Sequence, residues 1–395
     1  MQYRRDGISA LGLGCMRFTT KGGKIDFEKA EKEILKAVEL GVTYFDTAYI
    51  YPGSEELLGK VIEKNNLRDK ILIASKLPQY LCLTRASLDK YFNEQLKRLK
   101  ITYFDYFLMH HMTDYSTWEK LQAVGIEEWI AEKKASGQIR NIGFSFHGNT
   151  KAFKAVLNAY PWDCCLIQYN YMDENTQAGR EGLEAAAAKN IPVMIMEPLR
   201  GGKLVDLLPS KAKEEIKNHP SGRSAAEWAL RWLWNQPEVT CVLSGMNSIE
   251  MITENARIAS DSMPNHFNDD DFAMIEKIKG YIAETTKVNC TGCRYCMPCP
   301  VGIDIPALFR CYNHMYSETK SSGRNEYLQS VSLVEDTVFA DKCIKCGKCE
   351  KHCPQELKIR DLLVEADKAV RPPYQKVAIT IARRFMLGKK KKAKN

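Results

Sequence analysis

Eight of the fourteen cysteines fall in two quartets near the C-terminus. Cys290, Cys293, Cys296 and Cys299 are followed by Pro300; Cys343, Cys346, Cys349 and Cys353 are followed by Pro354. The second quartet has the C-x2-C-x2-C-x3-C-P spacing that supplies thiolates to paired 4Fe–4S clusters, and the first differs by one residue in its last gap. Three cysteines at every third position wrap one cubane. A fourth, held off by a proline, points at the neighbouring cubane. The expected assignment is therefore crossed: Cys290, Cys293, Cys296 and Cys353 hold one cluster, and Cys343, Cys346, Cys349 and Cys299 hold the other. Two zinc sites or a disulfide framework are the alternatives. Zinc sites pair two C-x2-C hairpins and have no use for triplets ending in Cys-Pro, so the spacing favours clusters.

A second set of residues suits proton and hydride chemistry. Asp46, Lys76 and His110 each end a short apolar run, and Tyr51 follows Asp46 closely. A tyrosine is a weak acid with an unperturbed pKa of about 10. A lysine nearby favours the phenolate, and a carboxylate beside the lysine fixes its position. A histidine hydrogen-bonded to a carbonyl oxygen stabilises developing oxyanion charge. Taken singly these residues mean little, since Tyr44 and Tyr49 lie near Tyr51, and His111 adjoins His110. Their common position at the ends of strands is the signal.

The elements that must carry them alternate. Short runs rich in Val, Ile, Phe and Tyr occur at Ala10–Met16, Val42–Ala48, Ile71–Leu77, Asp105–His110, Ile139–Phe146, Cys164–Asn170, Pro192–Glu197 and Val239–Ser244. Such runs read as strands buried on both faces. Helical patterns separate them: Phe27–Leu40, a run from Ser54, Leu88–Leu99, Trp118–Lys134, Phe153–Ala159, Gly182–Lys189, Ala225–Trp234 and Ile249–Ala259. Eight β/α units over about 250 residues predict an α/β fold, a (β/α)8 TIM barrel, with functional groups at the C-terminal ends of the strands. A doubly wound open sheet is disfavoured because no strand is followed by a glycine-rich dinucleotide fingerprint. The expected division is 1–284 for the barrel, 285–370 for a small α-helical domain holding the two clusters, and 371–395 for a basic tail.

The composition bounds the rest. Of the formal net charge of +8, +7 falls within Arg383–Asn395, so the body is near neutral and nothing argues for a nucleic-acid-binding face. Met1–Gly7 is polar and lacks the apolar core of a secretory signal. No apolar run approaches the roughly 20 residues that span a membrane. Fourteen cysteines without such a signal predict a reducing, cytoplasmic setting.

The segments GVTYFDTAYIYPGSEELLG, ILIASK and YFDYFLMHH resemble the aldo-keto reductase family. The likeness runs over roughly residues 8–262, through SFH, IQYN, EPLRGG and SGMNSIEMITEN. With CTGCRYCMPCP added, the whole chain resembles the branch of that family with a fused, two-cluster ferredoxin-like domain. The resemblance implies that Asp46, Tyr51, Lys76 and His110 form a catalytic tetrad that reduces an aldehyde or ketone. It also implies nicotinamide contacts at Ser145 and Gln168, pyrophosphate contacts around Leu199, Arg200 and Gly201, and adenine contacts at Glu254 and Asn255. The chain departs from the family at four places. Phe146 stands where an asparagine is usual, Met196 where an aromatic stacks on nicotinamide, and Gly245 and Met251 where cations grip the 2′-phosphate. NADH is therefore expected to serve at least as well as NADPH.

Hydride carries two electrons and a 4Fe–4S cluster normally one, so joining them calls for a flavin or a radical-tolerant substrate; no segment reads as a flavin site. Three uses of the chain follow. In the first, a nicotinamide-dependent carbonyl reductase carries clusters that store or relay electrons. In the second, clusters wire the barrel to an acidic one-electron carrier such as a ferredoxin or flavodoxin. In the third, the chain is an electron-relay subunit whose barrel is idle. The amphipathic stretch Val377–Leu387 and the run Lys389–Lys392 read either as a solvated end or as a docking arm for such a carrier or an anionic membrane.

Overall fold

Eight parallel strands close into a barrel in the computed structural model, which describes residues 1–334 and 337–386. In chain order the strands are Leu11–Gly14, Tyr44–Asp46, Leu72–Leu77, Phe104–Met112, Ile139–Phe146, Cys164–Gln168, Val193–Met196 and Val239–Ser244. Each pairs with the next, and the eighth pairs with the first. The interior is filled by Tyr44, Ala74, Tyr106, Leu108, Cys164, Leu166, Met194, Cys241 and Leu243, with Ile8 from a short hairpin beneath. The α/β barrel expected from the alternation is the fold observed.

The chain divides into two compact units. One comprises Met1–Leu199 and Ala226–Asp269, and contains all eight barrel strands; the other comprises Arg200–Ala225 and everything from Asp270. In the first unit the helices match the sequence pattern except in one place. The run expected as one helix over Trp118–Lys134 is two, Tyr115–Gln122 and Ile126–Ala135. Gly125 breaks it with a left-handed φ of 77°, and its carbonyl accepts from Arg85 Nη1 at 3.2 Å. The helices Ser210–Asn218 and Asp269–Thr285 are not foreseen by the pattern.

The second unit has a helical core. Ile305–Ser317, Lys320–Tyr327, Ile359–Val370 and Pro373–Met386 pack through Leu308, Phe309, Tyr312, Leu363 and Ile379. Asp304 caps the first of these by accepting from Ala307 N at 3.2 Å, and Pro306 sits in its first turn. Arg383, counted above with the basic tail, lies in the last helix and donates to the carbonyls of Ser332 and Val334 at 2.5 and 3.0 Å. Leu387 and the run Lys389–Lys392 lie outside the described residues. Among the described residues no helix is long and apolar enough to cross a membrane.

Candidate active site and cluster cavities

Strand register explains how the polar residues of the barrel meet. Asp46 pairs with Ala74, and Lys76 with Leu108. Ala74 and Leu108 face the barrel interior. Side chains repeat on one face every second residue, so Lys76 and His110, two positions further on, also point inward, just above the packed core. Lys76 Nζ donates to both Asp46 carboxylate oxygens, at 2.6 and 2.7 Å, and to the Thr47 carbonyl at 2.8 Å. Tyr51 reaches the same place from the loop after the second strand. Its ring lies edge-on to His110 with centroids 6.0 Å apart, and Lys76 Nζ is 5.3 Å from its centroid.

A buried polar network sits behind Lys76. Glu55 Oε1 accepts from Ser75 Oγ and Gln95 Nε2, both at 2.7 Å, and Gln95 also donates to the Lys76 carbonyl at 3.1 Å. Glu55 lies in the first turn of the helix Ser54–Asn65, and its burial against Ser75 and Arg98 makes it a support of the third strand.

Electrostatics at the site follow from burial. Burial holds the Asp46 carboxyl above the usual carboxylate range, although Lys76 acts in the opposite sense. Burial pushes the Tyr51 phenol up, and the charges of Asp46 and Glu197 push it further, while Arg17 opposes them. The acidifying lysine expected from sequence is thus absorbed by Asp46 and Thr47, which occupy the three donors of its ammonium. Burial, then Lys76 and the two neighbouring imidazoles, hold His110 well below the ordinary histidine value, so its ring is neutral at pH 7. Its Nδ1 is buried and has no hydrogen-bond partner among the described residues.

Of the other expected contacts, Ser145, Gln168, Leu199, Glu254 and Asn255 lie in the barrel unit, and Arg200 and Gly201 in the second unit. Ser145 Oγ accepts from His111 N at 2.7 Å. Gln168 donates to Asp173 at 3.1 Å and accepts from Gln177 at 2.9 Å. Asn255 is buried and donates to Ser244 Oγ at 3.3 Å; Glu254 is half-buried beside it. Leu199 is half-buried after the seventh strand, and Gly201 follows in a turn with φ 67°. Arg200 donates to Asn289 and Lys203 to the Cys290 carbonyl, both within the second unit.

Two features were missed from sequence. The rings of His111, in the fourth strand, and His147, just after the fifth, lie with centroids 4.6 Å apart, and the segments that follow those strands approach so closely that a Cβ on Gly148 would sit 1.8 Å from the Thr113 carbonyl. Arg17, after the first strand, pairs with Glu197, after the seventh, at 3.4 Å, and lies over Gly245 at the end of the eighth. The available signal was a polar residue directly following a strand, His147 in the first case and Glu197 in the second.

In the second unit the cysteines line two cavities. One, of about 320 Å³, is lined by Cys290, Cys293, Cys296 and Cys353. The other, of about 310 Å³, is lined by Cys299, Cys343, Cys346 and Cys349. Both middle cysteines are flanked by left-handed residues, Gly292 and Arg294 around Cys293, and Lys345 and Gly347 around Cys346. That repeated conformation curls each triplet around its cavity. Among the described residues, no three His, Cys, Asp or Glu side chains converge closely enough for a single metal ion. A donor set spread around a cavity suits a cubane, whose four irons each take one thiolate, better than one tetrahedral zinc with four thiolates at about 2.3 Å.

Comparison with known proteins agrees with this anatomy. The sequence profile of the Aldo/keto reductase family matches residues 10–279, and that of the 4Fe-4S dicluster domain matches residues 289–357. The uncharacterized oxidoreductase YqkF of Bacillus subtilis is 26% identical over 285 residues, covering 64% of this chain and 88% of the relative. The L-glyceraldehyde 3-phosphate reductase of Escherichia coli O157:H7 is 25% identical over 326 residues, covering 70% and 92%. Among solved structures, an aldo/keto reductase from Klebsiella pneumoniae in complex with NADP and acetate superposes with a TM-score of 0.56 at 25% identity, covering 69% of this chain and 92% of that one.

Proposed function

Because this chain belongs to the aldo/keto reductase family and is an oxidoreductase with a 4Fe–4S dicluster domain, we propose that its barrel reduces the carbonyl of an aldehyde or ketone. The observation that carries this reading is the convergence of Tyr51, His110 and the Lys76–Asp46 pair above the barrel core. A bound nicotinamide dinucleotide supplies the hydride that reaches the carbonyl carbon. Tyr51 Oη gives its proton to the carbonyl oxygen. Neutral His110 donates a hydrogen bond to that oxygen, which favours the charge that develops there. Asp46 holds Lys76, and Lys76 holds the wall against which the phenol lies. Ser145 and Gln168 would orient the nicotinamide carboxamide, Leu199 and Gly201 the pyrophosphate, and Glu254 and Asn255 the adenine. Without a cation at Gly245 or Met251, the site suits NADH at least as well as NADPH. The Klebsiella relative, described with NADP, supports a dinucleotide as the hydride source.

The test is anaerobic oxidation of NADH and NADPH by purified protein with a panel of aldehydes and ketones, repeated with Tyr51→Phe. The substitution removes one hydroxyl, so turnover should fall by at least a hundredfold with dinucleotide affinity nearly unchanged. Equal turnover in Tyr51→Phe would rule out this proton donor.

The dicluster domain favours a second reading, in which electrons arrive one at a time from a protein carrier and a flavin or radical-tolerant substrate joins them to carbonyl reduction. An optical spectrum of anaerobically purified protein distinguishes the two. Flavin bands together with cluster absorption, and no dinucleotide oxidation, would favour the carrier-driven reading.

A further inference from the structure

The two cysteine cavities differ in what surrounds them. Around the second, residues 341–352 are almost wholly at the surface, and Cys346 is the one exposed member of the eight. Lys342, Lys345, Lys348 and Lys351 are all exposed, and none forms an ion pair with any described residue. They are interleaved with the ligands: Lys342 precedes Cys343, Lys345 and Lys348 bracket Cys346-Gly347, and Lys351 follows Cys349 by two. Both carboxylates in this stretch are paired with arginines. Asp341 pairs with Arg371 at 3.4 Å and Glu350 with Arg360 at 2.7 Å. Ile344, 61% exposed, is an apolar side chain among these lysines in the chain and lines the second cavity. The first triplet carries no such run of lysines: Arg294, the one cation within residues 290–299, pairs with Asp304 at 3.5 Å.

Four ammonium groups at this spacing repel one another and receive nothing from the fold in return. A solvated lysine face usually carries its own carboxylates. Here those carboxylates are turned to arginines instead. Long-range attraction from such a run raises encounter rates with an oppositely charged partner by about 10- to 1,000-fold and fades with salt. One exposed apolar side chain among exposed lysines suits a brief contact of small area, as electron-transfer encounters have. We infer that the exposed lysines Lys342, Lys345, Lys348 and Lys351, interleaved with Cys343, Cys346 and Cys349, are the docking face for an acidic one-electron carrier protein, and that electrons enter or leave the chain at the second cavity. This rests on the reading of the eight cysteines as cluster ligands. The exchange is a single electron, lost by one protein and gained by the other, with no bond made or broken. It places docking on the cluster domain itself and assigns no part to the run Lys389–Lys392.

The test uses anaerobically purified holoprotein and a small, strongly acidic ferredoxin as probe. Affinity and the second-order rate of electron exchange are measured at about 20 mM and 300 mM salt, in wild type, Lys345→Glu with Lys348→Glu, Lys345→Arg with Lys348→Arg, and Lys217→Glu as a remote charge control. Iron and sulfide are counted in every sample, so that failure to build clusters is seen separately from failure to dock. The expected result is a tenfold or greater loss of association rate in the double glutamate variant at low salt. That loss should be nearly absent at high salt, with the arginine variant and the remote control close to wild type. Photoreduction by a small uncharged mediator should be the same in all four. Intact iron with an unchanged low-salt rate in the double glutamate variant would overturn the inference. So would a loss matched by the remote control, or binding of anionic vesicles or nucleic acid at the same face in place of the acidic protein.

Discussion

Replacing Lys76 with methionine removes the cation that pairs with Asp46 and leaves a carboxylate inside the barrel. The side chains are 1% and 7% exposed, and three acceptors lose their donor: both Asp46 oxygens and the Thr47 carbonyl. Breaking a buried ion pair from one side costs about 3–5 kcal/mol, because the remaining charge stays desolvated. With a urea slope of about 3 kcal/mol per molar, the unfolding midpoint should fall by roughly 1–1.7 M. All six tryptophans lie in the barrel unit, so their fluorescence follows that unit alone while visible absorption follows the cluster domain. The deficit should depend on pH with a definite sign. Burial already raises the Asp46 carboxyl, and losing Lys76 raises it further. The folded variant then binds a proton more readily than the unfolded chain does. Its stability therefore falls as pH rises from the unfolded value of about 3.9 through the folded value. The variant should recover part of its deficit at pH 5 relative to pH 8. Lys76→Met combined with Asp46→Leu should recover at least half of it at either pH, since removing both charges is far cheaper than removing one. A loss below about 1 kcal/mol in the single variant, or a double variant no better than the single, would refute the claim that the pair is electrostatically coupled in a dry site.

Three further outcomes are expected. About eight iron and eight sulfide should be found per chain, and Cys353→Ala should disturb the cluster built on Cys290, Cys293 and Cys296; electron paramagnetic resonance showing loss only of the cluster on Cys343, Cys346 and Cys349 would reverse the crossed assignment. Titration of both dinucleotides against tryptophan fluorescence should show no preference for NADPH as large as about a hundredfold, or 2.7 kcal/mol; a larger one would bring Arg17, over Gly245, forward as the phosphate partner. His110 and His147 are both held neutral by burial, with values well below the ordinary one, so the unfolded chain binds protons that the fold refuses, and barrel stability should drop as pH falls below about 6.5, by up to ~1.4 kcal/mol per pH unit for each; denaturation of His147→Gln across pH 5–8 should show a shallower slope.

What the sequence by itself determined is what local spacing can encode. Short, nearly continuous apolar runs such as Leu72–Leu77 and Cys164–Gln168, alternating with helical patterns, require strands and helices in turn, and eight such units lead to a closed barrel. A triplet such as Cys343, Cys346 and Cys349 carries its ligand geometry within seven residues, so a cluster domain was legible without any tertiary information. What only the tertiary structure decided involves partners far apart in the chain. Lys76 finds Asp46 thirty residues away because strand register sets both just above the core. Cys353 joins the cavity of Cys290 because the helical core folds the two quartets together. The break at Gly125, the burial of Glu55 against Gln95, the His111–His147 contact and the Arg17–Glu197 bridge over Gly245 are decisions of the same kind. Each depends on which side chains lose water together and at what separation. Those quantities set a phenol's acidity or a lysine's freedom to pair, and they exist only once the register is closed.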